Sequence, residues 1–305
     1  MLFRSDGAHY AWGRGATNLT ALVAAPTEGV FQVDGWSPLE VGVGYAALTR
    51  SFGWAGGAGE WRLFGLYYRD ARDAVATDNR PLAARQADQE DVGVGTLGAH
   101  YLHVFRTGAG EVDLLLWGAG QAGDWESLSH RAGAAAVEAG IQPPGLPALR
   151  PWIRAGWFRS TGDSDPADDR HETFFSVLPT PRIYARFPFF NQMNTQDVFA
   201  GLTLRPGQRL TLRSDVHALR LGEAADLWYS GGGAFEEKSF GYAGRPSGGD
   251  RGLATLFDVS ADLRLHPRLS INGYVGWARG GEVLERIYPG GGNGRLAYLE
   301  AELRY

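Results

Sequence analysis

Nine side chains have the types and spacing that could do chemistry: Arg154, Arg182, Arg186, Arg213, Arg245, Asp215, His217, Trp228 and Tyr229. The arginines set the tone. A guanidinium keeps its charge, pairs with carboxylates through a planar fork and stacks on aromatic rings. A set of them offers reversible, multi-site contact with an anion rather than bond-making. Arg154 falls between Ile153 and Ala155, opposite the apolar side of its segment, and Arg213 does the same in its own; Arg182, Arg186 and Arg245 fall in two long irregular stretches. Two readings stand together. The arginines meet a passing anion, or they pair with Asp215, Asp258, Asp262 and Glu300 in a network that touches no solute; Asp215, Asp258 and Asp262 read as the structural partners that offset repulsion. Trp228 and Tyr229, with Phe235, Phe240 and Tyr242, either stack on sugar faces or pack their loop onto a wall.

Other chemistry drops out. Residues 93–98, GVGTLG, match a dinucleotide fingerprint but sit in a strand pattern with no helix after them. Ser214, Asp215 and His217 suggest a hydrolase triad, yet Ser214 and His217 point to opposite faces of one strand. No nucleophile and base share a face, so no enzyme is expected. His130 and His171 show no partner along the chain. Asp163, Asp165, Asp168 and Asp169 lack the glycine and terminal glutamate of a calcium loop and read as a solvated acidic loop. There is no cysteine, so no cysteine-based metal site, and a net charge of −5 gives no nucleic-acid signature. No cofactor and no metal are expected.

The elements that must position these residues are strands. Alternating segments of roughly ten residues recur, at 7–13, 16–25, 39–50, 60–69, 91–106, 110–122, 126–139, 149–160, 196–205, 208–221, 251–265, 268–280 and 294–305. Residues 126–139 also allow a short helix. In 251–265, Leu253, Thr255, Phe257, Val259, Ala261, Leu263 and Leu265 share one side against Asp258, Ser260, Asp262 and Arg264; in 294–305, Ala297, Leu299, Ala301 and Leu303 oppose Tyr298, Glu300, Glu302 and Arg304. The connections alternate long and short, with 123–125 the one short link where a long one is due. A soluble sandwich has no reason to keep that rhythm, whereas an outer-membrane barrel puts long loops outside and short turns in the periplasm. The chain is rich in glycine (44) and tryptophan (10), and no run of about 18 apolar residues could form a spanning helix. Trp54, Trp61, Trp157 and Trp277, near strand ends, read as interfacial anchors. The expected fold class is all-β, a transmembrane antiparallel up-and-down β-barrel, as one domain over 1–305. An odd count of strands and the lack of a recognisable leader suggest that the N-terminal part of the barrel is missing. Loops 161–195 and 222–250 are expected to fold into the lumen, because ordered loops this long are usually functional.

The strings PWIRAGWFRSTGDSDP (151–166), TFFSVLPTPRIYARFPFFNQMN (173–194), LRSDVHALRLGEAADLWYSGGGAF (212–235), FGYAGRPSGGDRGL (240–253) and LSINGYVGWARGGEVLERIYPGG (269–291) resemble the alginate export family of outer-membrane proteins. The resemblance implies a barrel of about 18 strands that exports an anionic polysaccharide through an arginine-lined pore in the bacterial outer membrane. The alternative is a porin of the same fold for another anionic solute or glycan. The expected partners are that polysaccharide or solute, outer-membrane lipid, and the barrel-assembly machinery, which would read the final strand ending in Tyr305.

Overall fold

A computed structural model describes residues 4–27, 39–177, 187, 191–231, 233–234 and 239–304. Its elements in order are β1 (Arg4–Arg14), β2 (Thr17–Thr27), β3 (Val41–Trp54), β4 (Gly57–Asp70), α1 (Leu82–Ala87), β5 (Val92–Thr107), β6 (Gly110–Trp125), β7 (Leu128–Gln142), β8 (Trp152–Ser160) and β9 (Arg170–His171). Then follow β10 (Thr195–Leu204), β11 (Leu210–Leu221), β12 (Leu227–Gly231), β13 (Tyr242–Pro246), β14 (Gly252–His266), β15 (Leu269–Gly280), α2 (Glu282–Ile287) and β16 (Gly294–Leu303). Each of the thirteen alternating segments is a strand, with ends shifted by a few residues. Residues 126–139 fall to a strand, not a helix, because β7 finds partners on both sides, β6 and β8.

The long strands pair antiparallel in chain order, β1 to β8, then β10, β11, β14, β15 and β16; β9 adds parallel to β7, and β12 and β13 form a separate hairpin. Among the described residues β1 and β16 are not paired with each other, so the sheet has two open edges and does not close into a barrel. Tight turns explain one end of the sheet. At 55–56, Ala55 and Gly56 both have positive φ (50° and 71°), the twist that a two-residue hairpin needs. The other end carries the long connections, with one exception, the two-residue link at 126–127.

The two faces differ in kind. Leu97 (75% exposed), Leu299 (79%), Leu303, Val198, Val216, Ile153 and Phe257 stand on an open apolar face. Burying one such side chain would gain about 1.5–3 kcal/mol, and an open apolar patch this broad marks a surface meant for something other than water. The opposite face carries Glu138, Asp197, His217, Asp258 and Ser260, all buried. Leu253 corrects the sequence reading. It was placed with Phe257 and Val259, but it is buried near the end of β14, in an apolar cluster with Leu219, Leu221, Val283 and Leu284, because α2 folds back there and Gly281 N–H donates to its carbonyl.

Candidate functional site

Three long connections lock together over the polar face at the loop end of the sheet. Their seat is the short link between β6 and β7. There the backbone of Glu126 turns left-handed (φ 53°), and its carboxylate, buried, meets Arg80 from the 71–91 connection at 2.6 Å. Arg80 also holds Asp78 at 2.9 Å and Asp88 at 2.8 Å, so one guanidinium gathers three buried carboxylates. The Ser127 hydroxyl donates to Asp88 and Trp125 Nε1 donates to Asp78. Arg72 pairs with Asp70 and donates to the Ala234 carbonyl, tying the same connection to the one after β11. A longer link at 126–127 would occupy the place where these groups meet.

The connection after β8 is stitched to the wall by backbone mimicry. Gln121 of β6 accepts from Phe175 N–H (2.7 Å) and donates to Phe175 O (2.8 Å), as a neighbouring strand would. His171 stacks on Trp125 with ring centres 4.0 Å apart, and its Nδ1 lies 2.9 Å from His130 Nδ1. Burial, then the nearby His130 and Arg80, push His171 well below the usual imidazole range, so it stays neutral. The two histidines that look solitary in sequence are therefore a buried pair. Wall and loops share one core: Val41, Tyr68, Val92, Val94 and Trp125 from strands, and Ala76, Phe175, Met193, Tyr229, Phe240 and Tyr242 from connections or their hairpin.

Asp226 closes the lock. It accepts from Thr173 Oγ1 (2.6 Å), Leu227 N–H (2.7 Å), Tyr229 OH (2.8 Å) and Asp163 N–H (3.0 Å). Gly162 is required at the loop base, since a Cβ there would lie 2.1 Å from Asn194 Oδ1. Burial pushes Asp163 up to about 7, helped by the Asp226 carboxylate, and burial pushes Asp226 up to about 6 against its four donors. Both carboxyls hold a proton more tightly folded than unfolded. Their contribution to stability is complete below about pH 4 and is lost as pH rises through about 6 to 7. Asp163→Asn keeps an acceptor for Asp165 N–H and has no proton to lose. It is expected to flatten this dependence and to strengthen the locked loops at pH 8 by roughly 1–3 kcal/mol. Amide-exchange protection of residues 161–177 at pH 5 and pH 8, corrected for intrinsic rates, checks it.

Two further acidic residues of that connection turn their carboxylates onto their own backbone: Asp165 accepts from Ala167 N–H and Asp168 from Arg170 N–H. Among the described residues no group of three or more His, Asp or Glu is placed to hold a metal ion.

The structure brings some of the expected path residues together and separates others. Arg154 lies on the polar face, paired with Glu138 at 3.4 Å, its guanidinium 5.2 Å from the ring centres of Trp152 and Phe199. Arg213 lines a polar cavity of about 470 Å³ with Asp262, Arg264, Asn272 and Glu300. Asp215 stands on the same face, directly opposite Asp258 in the pairing of β11 with β14. His217 is buried, 2.8 Å from Asp197 and stacked on Phe199. Trp228 and Tyr229 are buried in two different apolar clusters, so neither offers an open ring face. Arg245 is exposed on β13, across from Trp228. Arg182 and Arg186 lie outside the described residues. The described wall is not a row of arginines: Arg62, Arg106 and Arg154 each face a carboxylate, Glu60, Glu111 and Glu138.

Arg80, Gln121, Trp125 and Asp226 were not singled out from the sequence. Most of what they hold lies on other elements, and where Arg80 meets Asp78 and Asp88 of its own connection no period along the chain marks the contact. No curated protein matches the chain closely enough to serve as a relative. The family of alginate export proteins, an outer-membrane transport family, matches residues 54–286, which takes in β4 to β15 and all three locked connections. With this match and its all-β antiparallel architecture, the chain belongs to the alginate export family.

Proposed function

We infer that the chain forms the wall of an outer-membrane channel that exports an anionic polysaccharide, with the interlocked connections as a constriction at its outer mouth. One observation carries this reading: buried charged and polar side chains are gathered on the capped face, while leucine, valine and phenylalanine, with Tyr67 and Trp277, stand open on the other. That is the inverse of a soluble sheet, whose charged face meets water, and it fits a wall between hydrocarbon and an aqueous path. In this reading the sheet closes into a barrel. Ion pairs such as Arg154–Glu138 keep each guanidinium from gripping a carboxylate too firmly, and transit needs weak, repeated contact.

Planar-bilayer recording tests it. The wild-type channel is expected to favour anions, and replacing Arg154, Arg182 and Arg213 together by Gln is expected to bring the anion-to-cation permeability ratio toward unity. Unchanged selectivity in that variant removes the arginines from the path. Block by an oligomannuronate but not by a neutral oligosaccharide supports a uronate cargo; the reverse supports another glycan.

A further inference from the structure

The capped face is not uniform. Across β2 to β6, beneath Phe174, Phe175 and Val177, it encloses an apolar cavity of about 540 Å³. Small-molecule sites occupy about 300–1,000 Å³. The floor is aromatic: Tyr45 and Phe64 lie near parallel with ring centres 6.5 Å apart, and Trp117 meets Phe174 edge to face at 6.4 Å. Phe64 is held flat by its cross-strand neighbour. It pairs with Gly98, where a Cβ would come within 2.3 Å of the Phe64 ring, so only glycine lets the ring lie down on the sheet. Packed in this way, the rings are only partly buried and turn toward open space.

The lining itself carries no charge; its polar groups are Thr96, Gln121, Ser176 and Gln192, and a cation lies just beyond it on the same face. Two residues along β4 from Phe64, on the same face, Arg62 leaves 39% of its side chain exposed, with Nε donating to Thr49 and Glu60 at 4.0 Å. Glu60 in turn meets His100 at 3.0 Å. At the other margin Gln192 lines the cavity. An apolar floor with amide and hydroxyl groups in its lining, and a guanidinium farther along the same face, matches one kind of guest, a pyranose ring. Its C–H face stacks on aromatic rings, and its hydroxyl or carboxylate edge reaches polar groups. A fatty acyl chain would have no use for Thr96, Ser176 and Gln192 in the lining, and it belongs on the opposite, open apolar face.

Resting on the export reading above, we propose that Tyr45, Phe64 and Trp117 form a sugar-stacking subsite, on which the exported glycan rests ring by ring beneath the locked loops. Channel-bound glycan then feels a two-sided path. One side is this aromatic floor; the other is the charged wall that Arg154 and Arg213 occupy.

The test is single-channel block of the full-length chain by a hexameric oligomannuronate and by maltohexaose. In the Phe64→Leu and Trp117→Leu double variant, the residence time of a blocking sugar is expected to fall about tenfold, the equivalent of one lost stacking contact. Phe64→Tyr, which keeps a ring, is expected to retain wild-type block, and Tyr67→Leu on the open face serves as a control that changes nothing. Heat-modifiable migration on a denaturing gel confirms that each variant is folded before recording. Equal residence times in wild type and the double variant overturn the subsite alone. Displacement of the block by a dodecyl-chain detergent at equal strength in both proteins overturns it in favour of an acyl-chain cavity. A wild-type chain that neither conducts nor is blocked overturns the channel reading, and the subsite with it.

Discussion

Arg80→Met is expected to release the 71–91 connection from the sheet at a cost of about 3–5 kcal/mol, the penalty of leaving buried charges without their partner. Asp78, Asp88 and Glu126 all turn to this one guanidinium, and their side chains are at most 6% exposed. Removing it sets three carboxylates facing one another. The effect should stay local, because β4 and β5 keep their ladder from Ala58 to Asp70. Limited proteolysis between residues 71 and 91 should become rapid in the variant, and, if the connections constrict a channel as proposed, open-channel conductance should rise. Adding Glu126→Gln and Asp78→Asn to Arg80→Met should restore part of the protection, since the repulsion then disappears with the charge. A variant that resists protease as the wild type does would show that the three carboxylates are satisfied without Arg80.

The second large effect belongs to the open face. Leu97, 75% exposed in the middle of β5, is expected to lose about 2–4 kcal/mol on replacement by Arg, if that face meets hydrocarbon. In water the same replacement would stay within about 0.5 kcal/mol. The measurement is the fraction of chain that reaches the folded, heat-modifiable form in lipid vesicles at increasing urea. A Leu97→Arg protein that folds as well as wild type, or an intact chain that stays monomeric without detergent, would return this face to water and remove the membrane reading.

Strand placement was legible because it is a local property. Side chains of a strand alternate with a period of two whatever its neighbours are, and in 208–221 the sequence already opposes Leu212 and Val216 to Arg213 and His217. The pairing of β10 with β11 and of β11 with β14 keeps that division, with Val216 exposed and His217 buried. Leu253 escaped the rule because burial at a strand end is set by what folds over it, here α2, and not by its own parity. The rhythm of long and short connections was equally readable, with its exception read at 123–125 and found at 126–127.

What the loops do was not readable. The irregular stretches carry no period, so nothing along the chain says that Gln121 will bond the backbone of Phe175, that His171 will lie on Trp125 and against His130, or that Arg72 will reach Ala234. The same holds for the cavity over Tyr45, Phe64 and Trp117, whose residues come from five strands and one connection. Local patterning thus determined which residues are strands, which side of each is apolar, and that long loops gather at one end. Only the tertiary structure decided which charges meet, which histidines pair and which rings stay open. Many of those contacts join residues far apart in the chain, 41 positions for His130 with His171 and 162 for Arg72 with Ala234, and even the near ones depend for their energy on three-dimensional proximity and exclusion of water, neither of which a sequence period encodes.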